Sequence, residues 1–394
     1  MIFRTFDEKD ECLLVYQNKR FHNSFKKLKL THTWSYASYL KDKNIQYAQI
    51  WAQGRPLSQE CPQNVKKEFI ACENKLKALI RSCNEAKIDL NEVCIFDFCP
   101  PHILEQYAEI KNKICSYVFS NHTKPENYAH MLNLTKVITD IKYRDLKLDL
   151  NTMRRVSVKD RNNYRNLSNC NKRVVYDIYK TKTGRLSTVS HSFPVLTLPK
   201  EYRGVLKPEN DWLFELDYNA AELRVLLGLL GQAQPADDVH KWSVDNVYDN
   251  KVSREEAKKR TFAWLYNPES EDEQLNQRYD RDTLLKKYWD GTSVKTLYNR
   301  EISADRHHAL NYIIQSTTAD MVFEQMYKVW EFLRDKKTFI KFCNHDSIMI
   351  DLSEEDQEMV NDIKEIFSET RFGKFKINCM GGKDWGAMKE LYIR

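Results

Sequence analysis

The sequence predicts an α+β fold, and three observations carry that expectation. Residues 212–217, WLFELD, alternate Trp212, Phe214 and Leu216 with Leu213, Glu215 and Asp217, the period of a half-buried strand. Residues 338–342 and 348–352 are β-prone runs joined by Asn344-His345-Asp346-Ser347, which suggests a hairpin with Asp346 at its tip. Elsewhere, apolar residues recur at helical spacing.

Taken in order, residues 65–81 have a helical pattern through Phe69, Leu76 and Ile80. The segment VCIFDFCPP reads as a short buried strand stopped by Pro100 and Pro101, with helices expected over 102–118 and 125–150. Val174, Val175, Tyr176 and Ile178 suggest another strand. Residues 220–230 read as a helix ended by Gly231 and Pro235. Ser253 and Glu256 form a capping box for a helix that stops at Asn267-Pro268. Residues 269–290 are charged and expected to be exposed, and 311–329 looks helical.

The chain has 394 residues, 42% hydrophobic, 30% charged and 12% aromatic, which is a globular composition and too aromatic for disorder. No apolar run reaches about 18 residues, so no transmembrane helix is expected. The N-terminus turns acidic before a signal-peptide core could form, so a cytoplasmic protein is expected. The ten cysteines lack zinc-ligand spacing and read as reduced thiols. Net charge is +6, but residues 154–173 hold seven basic residues against one acid, Asp160. Arg154, Arg155, Arg161 and Arg165, with Tyr164 among them, read either as a solvated loop or as a segment that tracks phosphates.

Two features carry chemistry. Asp217 ends one strand and Asp346 sits in a turn between two others. If those strands are neighbours, the two carboxylates converge as two divalent ions about 3.5–4 Å apart require. Hard, oxygen-ligated Mg²⁺ is the expected metal. Alone, either aspartate reads first as a turn or cap residue. The second feature is a helix stripe, Arg254, Lys258, Phe262 and Tyr266, each four residues from the last. Two cations could hold a triphosphate and two rings could stack on a base; a solvated basic helix with an aromatic edge would look the same.

Five segments then occur in order: TGRLS, LDYNAAELR, SREEAKKRTFAWLYN, ALNYIIQSTTADM and NHDSIMI. They resemble the successive motifs of family A DNA polymerases, the class of bacterial DNA polymerase I and many phage replicative enzymes. The resemblance covers roughly residues 172–394. It implies a right-hand fold: a palm with an antiparallel sheet over 181–230 and 306–394, reduced helical fingers over 231–305, a thumb and palm-supporting segment over 111–180, and a small N-terminal α/β region over 1–110.

By that resemblance Asp217 and Asp346 bind two Mg²⁺ ions, with the backbone carbonyl of Tyr218 facing a metal. Glu222 is the steric gate beneath the sugar, supported by Tyr266. Arg254 and Lys258 bind the triphosphate, and Lys258 is a candidate general acid. Phe262 stacks on the nucleotide, and His240 contacts phosphate. Arg185, Asn311 and Gln315 read the minor groove, where correct pairs all present acceptors, and His345 contacts the primer end. The implied partners are primer–template DNA, dNTP and a separate exonuclease or replication accessory protein, with no membrane.

The sequence also departs from the family. Ser347 replaces the usual third carboxylate, Asn267 and Ser316 replace glycines, and His307 replaces a common Arg. Residues 1–120 carry neither the length nor the acids of a proofreading exonuclease; they read as a relic of one or as a docking surface. The compactness suggests a phage or mobile-element enzyme, working in the host cytoplasm. The expected activity is primer extension with dNTPs without proofreading. Two alternatives stay open: a single-subunit RNA polymerase or primase-like enzyme, whose group shares the His-Asp-Ser turn, and an inactive primer–template binding subunit.

Overall fold

The structure is a computed structural model and describes residues 3–4, 7, 9–24, 28–40, 44–153, 161–267 and 269–391. The chain forms two compact units, residues 1–143 and 144–394. The stretch 111–180 is therefore shared between them.

The first unit is largely helical. Helices α1 (Lys66–Glu85), α2 (Pro101–Asn121) and α3 (Tyr128–Lys142) lie beside short strand pairs near the N-terminus. Its core joins Phe69 and Cys72 of α1 to Ile110, Ile114 and Val118 of α2, around Trp34. The strand expected over 93–101 is absent. Ile95–Asp97 forms a 3₁₀ turn, and Pro101 opens α2, where its missing N–H is no loss. The expectation that all cysteines are reduced is also corrected. Cys12 and Cys94 form a disulfide with Cα atoms 5.6 Å apart, and eight cysteines are free. Their separation of 82 residues leaves no local signal for the pairing. Beside them Asp7 accepts from Lys9 Nζ at 2.8 Å and from the Ile95 amide at 3.2 Å.

The second unit is built on a five-stranded antiparallel sheet. After a short strand at Lys147–Leu148 and a 3₁₀ turn at Leu150–Met153, helix α4 (Arg161–Asn169) takes up the middle of the basic stretch. Only Tyr176–Asp177 of the expected strand at 174–178 pairs, with Ser187–Thr188. Strand β1 (Trp212–Tyr218) follows, then helices α5 (Ala221–Leu229), α6 (Val239–Asn246) and α7 (Arg254–Tyr266). The charged stretch beyond residue 269 holds helices α8 (Glu273–Arg278) and α9 (Arg281–Tyr288), which bury Leu275 and Leu284 and so are not merely exposed. A hairpin of β2 (Ser293–Lys295) and β3 (Glu301–Ser303) leads into the 27-residue helix α10 (Arg306–Phe332). Strands β4 (Phe339–Asn344) and β5 (Ser347–Leu352), helix α11 (Val360–Ser368), and strands β6 (Ile377–Gly382) and β7 (Lys389–Glu390) complete it. The sheet order is β4-β5-β1-β6-β7.

Strand β1 is central because both of its neighbours cover it. Leu213, Phe214 and Leu216 are buried, whereas Trp212 at the open end is exposed. The β4–β5 hairpin carries a register shift between Ile340 and Phe342, a bulge at Lys341. A bulge re-aims a side chain, and here three successive residues, Ile340, Lys341 and Phe342, are all buried. Lys341 Nζ meets Asp351 Oδ2 at 2.6 Å with neither side chain exposed. Asp351 also accepts from the amides of Glu209 and Asn210 at 2.7 and 2.8 Å, fixing the entry to β1.

Removing one partner of a buried pair strands the other charge. Lys341→Met is expected to lower unfolding free energy by about 3–5 kcal/mol in denaturant titration. Lys337→Met, which breaks the exposed pair with Glu355, should leave stability unchanged within error.

Candidate active site

The sheet brings the two aspartates together. Strands β1 and β5 pair antiparallel with Asp217 opposite Ser347, and the Tyr218 amide donates to the Asp346 carbonyl at 3.4 Å. Asn344 pairs with Ser347, leaving His345 and Asp346 as a two-residue turn with His345 at φ +57°. Such a turn requires positive φ, which presents Asp346 beside the end of β1. From the other side, β6 supplies Asn378, whose Nδ2 donates to Asp217 Oδ2 at 3.3 Å.

Burial, and then the neighbouring Asp346, push the Asp217 carboxyl up to about 7. Burial raises Asp346 as well. A third carboxylate faces the same side: Glu215, two residues before Asp217, accepts from Ser347 Oγ at 3.0 Å. Burial raises it, against the Ser347 hydrogen bond and Arg203, and Asp346 raises it further. Among the described residues neither Asp217 nor Asp346 has an ion-pair partner. Hard carboxylate oxygens at one sheet end, repelling one another and opposed only at a distance by Arg185 and Arg203, suit a divalent ion such as Mg²⁺. The Tyr218 side chain points away: it stacks on Phe367 at 4.4 Å and donates to the Phe367 carbonyl. Asp7, Cys12 and Cys94 also cluster, but the disulfide occupies both sulfurs.

A cavity opens beside the aspartates. Asp346, His345, Arg185, Glu222, His240, Phe262 and Tyr266 line it, together with the apolar side chains of Leu265, Ala319 and Phe323. Glu222, 9% exposed, sits on the first turn of α5 after Ala220 in the left-handed region at φ +51°. Arg185 and the Tyr266 hydroxyl both donate to its carboxylate. Burial raises Glu222 against those two hydrogen bonds, with Asp346 adding to the rise. Burial, and then Glu222, push the Tyr266 hydroxyl up to about 12, with Gln315 on α10 acting the other way. The buried guanidinium of Arg224 donates to the carbonyls of Asn219, Pro235 and Asp237 at 2.8, 2.7 and 2.6 Å. These bonds fold the loop after α5 back and place α6. His240 on α6 is 3% exposed, and burial lowers it to about 4, so its imidazole is neutral near pH 7. His345 is also lowered, by burial and then Arg185.

Helix α7 begins as the capping box predicts, with Ser253 Oγ accepting from the Glu256 amide at 3.2 Å. Phe262 and Tyr266 lie parallel, 6.0 Å apart and tilted by 5°, and Phe262 is 6.1 Å from the His240 ring. Arg254 donates to Asp238 at 2.8 Å and to Glu255 at 2.7 Å. Burial alone would raise Asp238, but Arg254, the Lys241 amide and Asn219 hold it well below the carboxylate range. Lys258 is exposed and has no ion-pair partner among the described residues. Asn311 lies on α10 one turn before Gln315, and both are half-buried. Arg161 and Arg165 are exposed on α4. Arg154 and Arg155 lie outside the described residues.

Sequence reasoning missed Glu215, although its place two residues before Asp217 on a strand is a readable signal. It also missed Asn378, Asn219 and Arg224. Asn378 reaches the site only through pairing of β1 with β6, which no local pattern announces.

No family model matches the chain, and no curated protein matches it. Among solved structures it is similar to the POL domain of Pol1 from M. smegmatis, in a complex with DNA primer–template and dNTP. The two are 13% identical; the match covers 72% of this chain and 76% of that one, with a TM-score of 0.60. The chain therefore has a mixed helix-and-strand fold like that of a DNA polymerase domain. Among the described residues no helix is long and apolar enough to cross a membrane.

Because Asp217 binds its proton more tightly folded than unfolded, its contribution to stability is present at low pH and lost as pH rises through about 7. Asp217→Asn should therefore raise the melting temperature of the metal-free protein by several degrees at pH 8, by less than half as much at pH 5 and hardly at all below pH 4. Added Mg²⁺ should narrow the difference at pH 8.

Proposed function

We propose that the chain is a template-directed DNA polymerase that extends a DNA primer with dNTPs. The observation that carries this reading is the convergence of Asp217 and Asp346 at one sheet end, beside a cavity lined by Glu222, Phe262, Tyr266 and His240. In this reading residues 181–230 and 306–394 act as the palm, 231–305 as short fingers, 111–180 as thumb and support, and 1–110 as a docking surface for an accessory protein.

Asp217 and Asp346 would hold two Mg²⁺ ions, with the Tyr218 carbonyl beside them. When bound, these ions supply activation of the attacking hydroxyl and stabilisation of charge on the phosphate. The protein's own groups do the rest. Phe262 stacks on the incoming nucleotide, and Tyr266, parallel to it, closes the wall. Lys258, free and exposed, takes the triphosphate and can pass its proton to the departing pyrophosphate oxygen. Arg254 joins it by leaving Asp238, whose other bonds to Asn219 and the Lys241 amide keep it satisfied. His240, neutral and with Nδ1 unpartnered, offers a hydrogen bond to phosphate without adding charge.

Glu222 acts as the sugar gate. Held by Arg185 and Tyr266, its carboxylate cannot swing aside for a 2′-hydroxyl. His345, Asn311 and Gln315 face the primer terminus, where Arg185 also reads the minor groove, and Arg161 and Arg165 track the backbone phosphates. A single-subunit RNA polymerase shares the His-Asp-Ser turn, but a gate braced from two sides disfavours that reading.

Purified protein given a primed DNA template, Mg²⁺ and dNTPs is expected to extend the primer, and Asp217→Ala and Asp346→Ala should each reduce extension to background. Binding without extension would overturn the proposal, and preferential use of rNTPs would favour the RNA polymerase. Glu222→Ala should lose discrimination against rNTPs. Arg161→Ala and Arg165→Ala should each flatten the salt dependence of duplex binding, by about 0.9 in log–log slope for each phosphate that is no longer neutralised.

A further inference from the structure

The wall that holds Glu222 depends on a residue with no place in the site itself. Arg300 lies between β2 and β3, before the first residue of β3. It forms a two-point ion pair with Asp320 of α10: Nε to Oδ2 at 3.0 Å and Nη2 to Oδ1 at 2.6 Å. Asp320 is fully buried and the Arg300 side chain is 12% exposed. Planar two-point pairing fixes direction as well as distance. The guanidinium is held against Gly184: a Cβ there would lie 2.4 Å from Arg300 Cζ. Gly184 is also at φ +78°, so both its backbone and its neighbour exclude a side chain.

Gly184 belongs to a tight turn, in which its amide donates to the Thr181 carbonyl at 3.3 Å and Thr181 Oγ1 donates to the Arg185 carbonyl at 2.7 Å. The next residue, Arg185, is the one that grips Glu222. The hairpin has a second anchor on the same helix, where Tyr298 donates to Glu324 at 2.6 Å and Arg371 pairs with that carboxylate at 3.0 Å.

We propose that the 293–303 hairpin is a clasp: Arg300, locked by Asp320, presses the Gly184 turn into place and so positions Arg185 against Glu222. Arg300 is a positioning residue for sugar selectivity and touches no substrate. This inference rests on the polymerase reading for its consequence but not for its mechanics.

Two measurements separate these. Hydrogen exchange of peptides covering 181–187 reads the clasp directly. Arg300→Ala should speed their exchange while the five-stranded sheet keeps its protection. The double variant Arg300→Met with Asp320→Asn, which leaves no buried unpaired charge, should do the same if the single variant folds poorly. Unchanged exchange at 181–187 in the folded variants overturns the clasp. The second readout is the ratio of kcat/KM for a dNTP to that for the matching rNTP. The clasp variants should lower that ratio by about tenfold, the change that about 1.4 kcal/mol of lost discrimination produces. Arg300→Lys, which keeps the charge without the planar fork, should fall between. An unchanged ratio in variants whose turn has loosened, while Glu222→Ala changes it, overturns the positioning role. If the unmodified protein extends no primer with either nucleotide, the polymerase reading fails together with the selectivity role, and the exchange measurement still decides the clasp.

Discussion

Everything at the candidate site depends on the antiparallel pairing of the 212–218 strand with the 347–352 strand. Its register sets Asp217 opposite Ser347, and the turn then has no choice but to hold Asp346 at the same end. A slip of one residue would send Asp217 to the opposite face. The register is secured well away from the chemistry. Asp351 takes two amide bonds at the mouth of the central strand and a buried ion pair from the bulged Lys341. The bulge absorbs the extra residue, so that the hairpin still closes on two residues at its far end.

Around this fixed point the protein arranges its charges unevenly. Three carboxylates, Asp217, Asp346 and Glu215, crowd one end of the sheet, and all are raised by burial. The histidines nearest them, His240 and His345, are kept neutral by burial rather than charged. Arg203 and Arg185 offset the rise of Glu215 and Asp346 in part, but among the described residues neither aspartate has an ion-pair partner. The exposed cations lie further out, on the helix of residues 254–266. Along that helix the positive charge of Arg254 and Lys258 gives way to the two parallel rings of Phe262 and Tyr266.

Much of this was legible from the residues. The alternation at 212–217 and the capping box at Ser253 produced correct local structure, because each rests on forces acting within a few residues. The aspartates could be paired on paper, but only under the condition that their strands are neighbours, which is a long-range fact. What stayed hidden shares that property. Cys12 and Cys94 meet across the first unit. Asn378 arrives on a strand far down the chain, and Arg300 works through a glycine more than a hundred residues earlier. The segment at 93–101 was misread for a different reason. Its apolar run suits a strand, but none of the described strands pairs with it, and Pro101 starts a helix instead.

The long helix of residues 306–332 holds the 293–303 hairpin twice, through Asp320 to Arg300 and through Glu324 to Tyr298. Four residues separate the two attachments, which at about 100° per residue puts them some 40° apart around the axis. A small roll of the helix about its own axis therefore moves both attachments the same way, and the hairpin travels with the helix as one body. The turn at Gly184, packed against Arg300, is the first neighbour to meet that motion.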